Sequence, residues 1–432
     1  MTLTGGDAIS NWAGNVVFTP TAVLRPRDVA EAQQLVADAP RIRALGTGHS
    51  FNDIADAPQL ISMRDVSSSF ELDETAHTVT VPGAAPYGAV AAFLHEHGWG
   101  LHNLGSLPHI SVAGATATAT HGSGDGNGVL STAVRGIERI GADGELSWVH
   151  AGDSDFAGSV VALGALGVIT RLRLAIEPTY DVTQQVYTGV GWDTFLAEFD
   201  EIMASAYSVS VLGKWAEPTL STLWLKHRAP ADQDGSVDAA PRAFGGERVA
   251  AEVHAIITGD APDDNMTLLG TRGAWSTRLA HFRFDRDPSA GGDEIQSEFF
   301  VPRAVAVDAL RAIRPLGARI DPLLHVSEFR TFAGDDLWLS GGEGGARVAI
   351  HFTWRRRPAE VAAVLPDIEA ALRPFTPRAH WGKVYTTGFD QAAGFRRLGD
   401  FAALAARVDP TGKFRNAHLD RVLAISGSEA PR

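Results

Sequence analysis

Arg43-Ala44-Leu45-Gly46-Thr47-Gly48-His49-Ser50-Phe51-Asn52 is the stretch around which the rest of the chain is read. A short apolar run, Ile42 to Leu45, has the character of a strand and ends in a Gly-x-Gly turn followed by a histidine. Glycine lets the backbone turn sharply and approach a ligand closely. Successive N–H groups in such a turn make a concave site for anions. A histidine inside that turn lies beside whatever the loop holds. The loop is not a Rossmann fingerprint, because that motif needs another glycine three residues on, where this chain has Phe51. Taken alone, a Gly-x-Gly is equally compatible with an ordinary tight turn.

A second unusual stretch, LGSLPHISVAGATATATHGSGDGNG, runs from Leu104 to Gly128 and carries no acidic or basic side chain other than histidine until Asp125. It alternates small residues with hydroxyls and then becomes glycine-rich. Hydroxyls and backbone amides at this density suit a neutral or anionic ligand lying close to the main chain. A low-complexity surface loop is the simpler reading. The ligand reading is preferred because both stretches fall within the first 130 residues and both contain histidines.

The chain has 432 residues, enough for two or three domains and a large core. It has no cysteine, so disulfides and thiolate metal sites are excluded. A net charge of −14 argues against general nucleic-acid or anionic-membrane binding. The start shows no basic segment followed by an apolar core, as a signal peptide requires. The longest uncharged apolar run, Phe156 to Thr170, is glycine-interrupted and too short for a bilayer. A cytoplasmic monomer is expected. Only four of the 37 basic residues are lysines (Lys214, Lys226, Lys383 and Lys413), which makes each one worth examining.

Working outward, Asp28 reads as the N-cap of a helix through Ala39 that Pro40 stops. Strands are expected at Gln59–Met63, Thr78–Val81 and Thr170–Ile176, and a helix from Pro86 to His97. Between these, Ser159 to Thr170 (SVVALGALGVIT) reads as a buried, glycine-punctuated turn. The pattern is α+β with short strands, not a regular βαβ alternation. A domain boundary is placed at Pro178. Beyond it, strands at Val182–Tyr187, Thr222–Lys226 and Val253–Ile257 alternate with helices at Trp192–Ala206, Pro302–Pro315 and Pro358–Leu372. Ala229–Gly246 and Gly341–Gly345 read as exposed loops. A last helix is expected over Phe395–Ala406, then a turn at Asp409, Pro410 and Gly412.

Three short segments concentrate reactive side chains. In Glu328-Phe329-Arg330 a strand would set a carboxylate and a guanidinium on one face. In His351-Phe352-Thr353 the same spacing pairs an imidazole with a hydroxyl. Lys383 is the one formal charge in His380-Trp381-Gly382-Lys383-Val384-Tyr385 if the histidine is neutral. Separately, these are a structural ion pair, a core histidine and a snorkelling lysine. Together they describe a pocket with both charge signs, a neutral base and a hydroxyl, which suits a polyhydroxylated substrate.

The loop ALGTGHSFN, the stretch GSLPHISVAGATATATHGSG, the pair in SEFR, the run HFTW, and HWGK followed by GKFRN resemble the alditol (xylitol) oxidases, flavoproteins of the vanillyl-alcohol-oxidase type. The similarity extends from Asn11-Trp12-Ala13-Gly14-Asn15 almost to the end. It implies an FAD-binding domain from residues 1–177 completed by 378–432, with a substrate-binding cap at 178–377. It implies FAD bonded covalently through His49, with Ala44, Leu45, Gly46, Thr47, Gly48, His49 and Ser50 as its diphosphate loop. Further flavin contacts are implied at Ser106, Ser111, Gly114, Ala115, Thr116, Ala117, Val168 and His380. Gly105 stands where the family keeps a small residue beside the flavin, leaving room for O2. Substrate binding is implied for Ser106, Glu328, Arg330, Thr353 and Lys383, and catalysis for Lys383, Arg330 and His351. The expected reaction oxidises the C1 hydroxyl of a polyol to the aldose by hydride transfer to flavin N5, with O2 reduced to H2O2. A sugar-1,4-lactone oxidase or dehydrogenase is the alternative, of which HWGK is also reminiscent. No metal is expected.

Overall fold

The computed structural model describes residues 3–4, 9–230, 244–256, 266–286 and 293–424. The chain begins with a small sheet of β1 (Leu3–Thr4), β2 (Ala22–Leu24), β3 (Arg43–Ala44) and β4 (Gln59–Ile61), in the order β1-β2-β4-β3. Helix α1 (Val29–Asp38) connects β2 to β3. Asp28 caps α1 by accepting from the Glu31 N–H, and Ala39 leaves the helix at ψ 129°, the extended conformation a following proline imposes. Ala32 and Val36 of α1 pack on Ile42, Ile61, Ile140 and Val168.

An antiparallel sheet follows, ordered β8-β7-β9-β6-β5 from β5 (Glu71–Asp73), β6 (Thr78–Pro82), β7 (Val134–Ile140), β8 (Leu146–His150) and β9 (Val168–Ala175). Helix α2 (Tyr87–Glu96) and the six-residue α3 (Val112–Ala117) lie between β6 and β7 in sequence.

The third sheet is nine-stranded and begins at Tyr180, just past Pro178. Its long strands are β10 (Tyr180–Thr188), β11 (Ser208–Gly213), β12 (Thr222–Pro230), β13 (Glu294–Pro302), β14 (Leu324–Phe332) and β15 (Arg347–Arg355). They lie in the order β10-β12-β11-β14-β15-β13, and short β16 (Arg378–Ala379) closes the edge beside β13. Side chains alternate faces along a strand. One set, with Phe299, Val301, Phe329, Ile350, Phe352 and Trp354, is buried against α4 (Ala306–Ile313) and α5 (Pro358–Leu372). The other set carries Gln296, Glu298, Glu328, Arg330, His351 and Thr353, and lines a cavity. Helices α6 (Leu398–Val408) and α7 (Ala417–Ala424) return the chain to the first two sheets.

Several local expectations differ from what forms. Residues 253–256 carry no regular element, and Ile257 lies outside the described residues. Val253 and Ile256 pack on the Met266–Leu269 cluster without a strand partner. The helix expected over Trp192–Ala206 breaks at Glu198 into Trp192–Ala197 and Phe199–Met203. Of the Ala229–Gly246 loop, Ala229 and Pro230 extend β12, and 231–243 lie outside the described residues. The last long helix starts at Leu398, three residues later than expected from Phe395.

Candidate active site

One cavity, with about 340 Å³ of free space, runs between the first two sheets and the polar face of the third. Residues Ala44 to Phe51 form one wall. Gly48 sits at φ +72°, a conformation that L side chains rarely adopt, and so turns the loop. Both sides of this loop are clamped by remote segments. From the N-terminal side, Trp12 N donates to Gly48 O (2.8 Å), while Asn11 and Asn15 side chains donate to Ser50 O and Phe51 O (2.9 Å each). From the C-terminal side, Phe51 N donates to Gly382 O (2.7 Å), and Asn52 Nδ2 donates to the carbonyls of Trp381 (2.8 Å) and Lys383 (2.9 Å). The GKFRN run is a further brace. Lys413 Nζ caps the end of α1 at Val36 O (2.6 Å), and Asn416 Nδ2 donates to Asp53, Ile54 and Asp56 carbonyls.

Opposite the loop lies α3, whose N-cap is Ser111, with its side chain accepting from Gly114 N at 3.3 Å. Ser111, Gly114, Ala115 and Ala117 line the cavity. A Cβ added at either Gly46 or Gly114 would come within 2.9 Å of Ser111 Oγ, so this cleft is held open by missing side chains. Thr116 and Val168 do not present side chains there. Thr116 is fully buried, with its carbonyl accepting from Ser131 Oγ (2.9 Å), and Val168 packs under α1, while its neighbours Gly167 and Ile169 reach the wall. His49 faces the same space, stacked on Trp12 at 5.2 Å and 20°. Both its ring nitrogens are shielded from solvent, and no side chain among the described residues satisfies them. Burial pushes the imidazole down to about 4, so it is neutral at physiological pH.

The third sheet supplies charge. Register places Glu298 of β13 opposite His351 of β15, and His351 opposite Glu328 of β14. Gln296 and Thr353 form the next row, and Arg330 lies two residues beyond Glu328. Lys383 Nζ reaches into this array from the HWGK segment, 2.7 Å from Glu298 Oε2 and 2.7 Å from His351 Nδ1. Arg330 donates to Glu298 Oε1 (3.1 Å) and Ser106 Oγ (3.2 Å), with its Nε 3.6 Å from Glu328 Oε2. His351 Nε2 lies 3.0 Å from Thr353 Oγ1. The structure thus brings together the three segments singled out from the sequence, through Glu328, Arg330, His351, Thr353 and Lys383, and Ser106 and His380 line the same cavity.

The array has three members that sequence reasoning missed. Glu298 is the hub: besides Lys383 and Arg330, His121 Nε2 (3.3 Å) and His351 Nδ1 (3.5 Å) approach its Oε1. The alternation Glu294, Gln296, Glu298 against Ile295, Ser297, Phe299 was its available signal. The other two are His121 itself, and His281, which lies 3.1 Å from Glu328 Oε1.

Electrostatics keep the carboxylates of this set ionised and its imidazoles neutral. Burial opposes ionisation of Glu298, but the Lys383 ammonium, helped by the close approach of His121 Nε2, holds its carboxyl well below the usual range. Glu328 likewise stays low despite burial, through Arg330 and His281. Burial, reinforced by Lys383, takes His351 down to about 4, and burial with Lys226 does the same to His281. Burial also lowers Lys383, with Glu298 opposing. The result is two carboxylates against two cations, with neutral imidazoles between them.

A family profile described as an FAD-binding domain matches residues 20–150, and one described as D-arabinono-1,4-lactone oxidase matches 293–422. Alditol oxidase of Streptomyces sp. (strain IKD472) is 40% identical over 96% of this chain and 99% of its own. L-Gulono-1,4-lactone dehydrogenase of Mycobacterium tuberculosis is 28% identical over 96% and 98%. A crystal structure of cholesterol oxidase from B. sterolicum shares the fold at TM-score 0.78 and 14% identity, covering 96% of each chain. No helix among the described residues is long and apolar enough to cross a membrane. The open, small-residue cleft around the glycine loop fits FAD, and with the identity along the whole length this chain belongs to the alditol oxidase family of FAD-dependent oxidoreductases.

Proposed function

We propose that the protein oxidises the terminal hydroxyl of polyols such as xylitol or sorbitol to the aldose, with O2 as the acceptor, using FAD bonded to His49. The observation that carries this reading is the array facing the glycine loop, where Arg330, Lys383, Glu328, Thr353 and Ser106 offer donors and acceptors side by side. A polyol presents a hydroxyl on each carbon, and each buried one left unpaired costs roughly 1–3 kcal/mol. The chain would divide into an FAD-binding part, 1–177 with 378–432, and a cap, 178–377, although Arg378 and Ala379 of β16 still pair with β13 of the cap's sheet. In support, the first two sheets end at Ala175 and the third begins at Tyr180.

When bound, FAD would supply the two-electron acceptor for the C1 hydride, with O2 as the final oxidant and H2O2 as its product. Ala44 to Ser50 would hold its diphosphate, with Ser111, Gly114 and Ala117 supplying further contacts from the same cavity. The shielded, neutral His49 ring is the nucleophilic form that a covalent bond requires. Arg330 and Lys383 orient the C1 hydroxyl and lower its pKa by positive charge. The proton released passes to Lys383 Nζ as Lys383 hands one of its own to His351 Nδ1, 2.7 Å away. With Lys383 as the ammonium, His351 accepts at Nδ1, carries its proton on Nε2 and donates to Thr353. That leaves the Thr353 hydroxyl free to donate to a substrate oxygen. Glu328 and Ser106 take the next hydroxyls.

The test is anaerobic bleaching of the purified flavoprotein by xylitol, sorbitol, mannitol and glycerol in turn, followed by peroxide release in air. A match of the lactone-oxidase profile to residues 293–422 makes lactones the second reading. Bleaching by gulono- or galactono-1,4-lactone but by no polyol would replace the first with it.

A further inference from the structure

We propose that Glu298 is a positioning residue that keeps Lys383 charged and aimed at His351, so that its carboxylate sets the alkaline limit of activity. The inference rests on the alcohol-oxidation reading only for the choice of substrate. Lys383 Nζ is largely buried, and its surroundings can be named element by element. Glu298 faces it from β13, with Glu294 further back on that strand. His351 faces it from β15, and Arg330 and Glu328 from β14. His380 comes from its own segment, and His121 approaches the far side of Glu298 from the glycine-rich stretch.

Of these groups only carboxylates favour an ammonium. Glu328 is already engaged by His281 at 3.1 Å and by Arg330 at 3.6 Å. Burial opposes ionisation of Glu294, and its Oε1 accepts from Gln296 Nε2 at 2.5 Å. Of the carboxylates only Glu298 touches Lys383, and it does so with one oxygen while the other takes Arg330. It is fully buried, so its negative charge is little screened by solvent. Removing that charge leaves two cations facing Glu328 alone, and the ammonium becomes harder to keep. Its proton is then lost at lower pH, and the donor that polarises the substrate hydroxyl goes with it.

The experiment is the pH profile of kcat/KM for flavin-loaded wild type, Glu298→Gln and Glu298→Asp. It uses whichever of xylitol or gulono-1,4-lactone bleaches the wild-type flavin. In Glu298→Gln the alkaline limb is expected to move acidward by about one pH unit or more, the size of effect one close charge exerts. Above the new limb the loss against wild type reaches about 10-fold or more, and it is smaller on the acid side. Glu298→Asp should recover part of the shift. A uniform loss at all pH, or an unmoved limb, overturns the proposal. If Glu298→Gln fails to retain flavin, the pair is removed as a unit in Glu298→Gln/Lys383→Met. Flavin retained by the double variant and not by the single supports charge pairing; equal failure of both overturns it. If only the lactone bleaches wild type, the polyol reading falls, while the limb shift still decides the role of Glu298.

Discussion

The two walls of the cavity are built on opposite principles. The wall around Gly46, Gly48 and α3 offers main chain and small side chains, and charge is absent from Ala44 to Ser50 apart from the neutral His49 ring. The facing wall, on β13, β14 and β15, crowds Glu298, Glu328, Arg330 and His351 around Lys383. In the proposed reading the first kind of wall holds a large cofactor by close approach of the main chain, so its specificity lies in what is missing. In the same reading the second holds a small flexible substrate by paired charges, so its specificity lies in which groups are present. Substitutions on the two walls should therefore fail differently.

The largest expected effect tests the loop wall. His49→Ala should abolish covalent attachment while the glycine loop still binds FAD. After acid precipitation the yellow colour should then be found wholly in the supernatant, and colour remaining in the pellet would refute attachment at this residue. Next comes the charged wall. Lys383→Ala should lower kcat by ~10²-fold or more, as loss of a transition-state donor does. A raised KM with unchanged kcat would move Lys383 to a binding role. Glu328→Gln should hurt xylitol and sorbitol more than short alcohols, because its partners lie beyond the reacting end. Equal losses across chain length would remove it from hydroxyl recognition.

A smaller effect concerns the charged wall alone. His281 and His351 are each held near 4 by burial, below the unfolded value of 6.5. As pH falls from about 6.5 towards 4, the unfolded chain takes up protons that the folded one refuses, so stability should decline across that window. Thermal melts of the flavin-bound protein at stepped pH measure this, and a flat midpoint through the window would contradict it. The smallest structural change is expected at Gly105→Ala. A Cβ there meets protein at 3.6 Å or more, an ordinary contact, so the melting temperature should hold. If the space beside the flavin serves O2, reoxidation by air should slow while anaerobic bleaching by polyol does not.

Much of the fold was legible where local rules decide the outcome. Asp28 and Pro40 bounded α1 because a cap and a proline act on their own backbone. Helix α5 formed over Pro358–Leu372 as expected, and spacing by two correctly paired Glu328 with Arg330 and His351 with Thr353 on one face. Val253 and Ile256 misled because apolar character alone does not supply a strand partner.

What the sequence determined by itself was the set of motifs, and with them the cofactor class and most of the substrate wall. The tertiary structure decided how they meet. Only the order β14-β15-β13 sets Glu298 beside His351 and within reach of a lysine 85 positions later. Only the folded chain shows Asn11, Asn15 and Asn52 fastening the glycine loop between two distant segments. The reason is physical: helix caps and strand faces depend on neighbours in the chain. A buried carboxylate is tolerable only where cations from other strands converge on it, and that convergence is a property of sheet order.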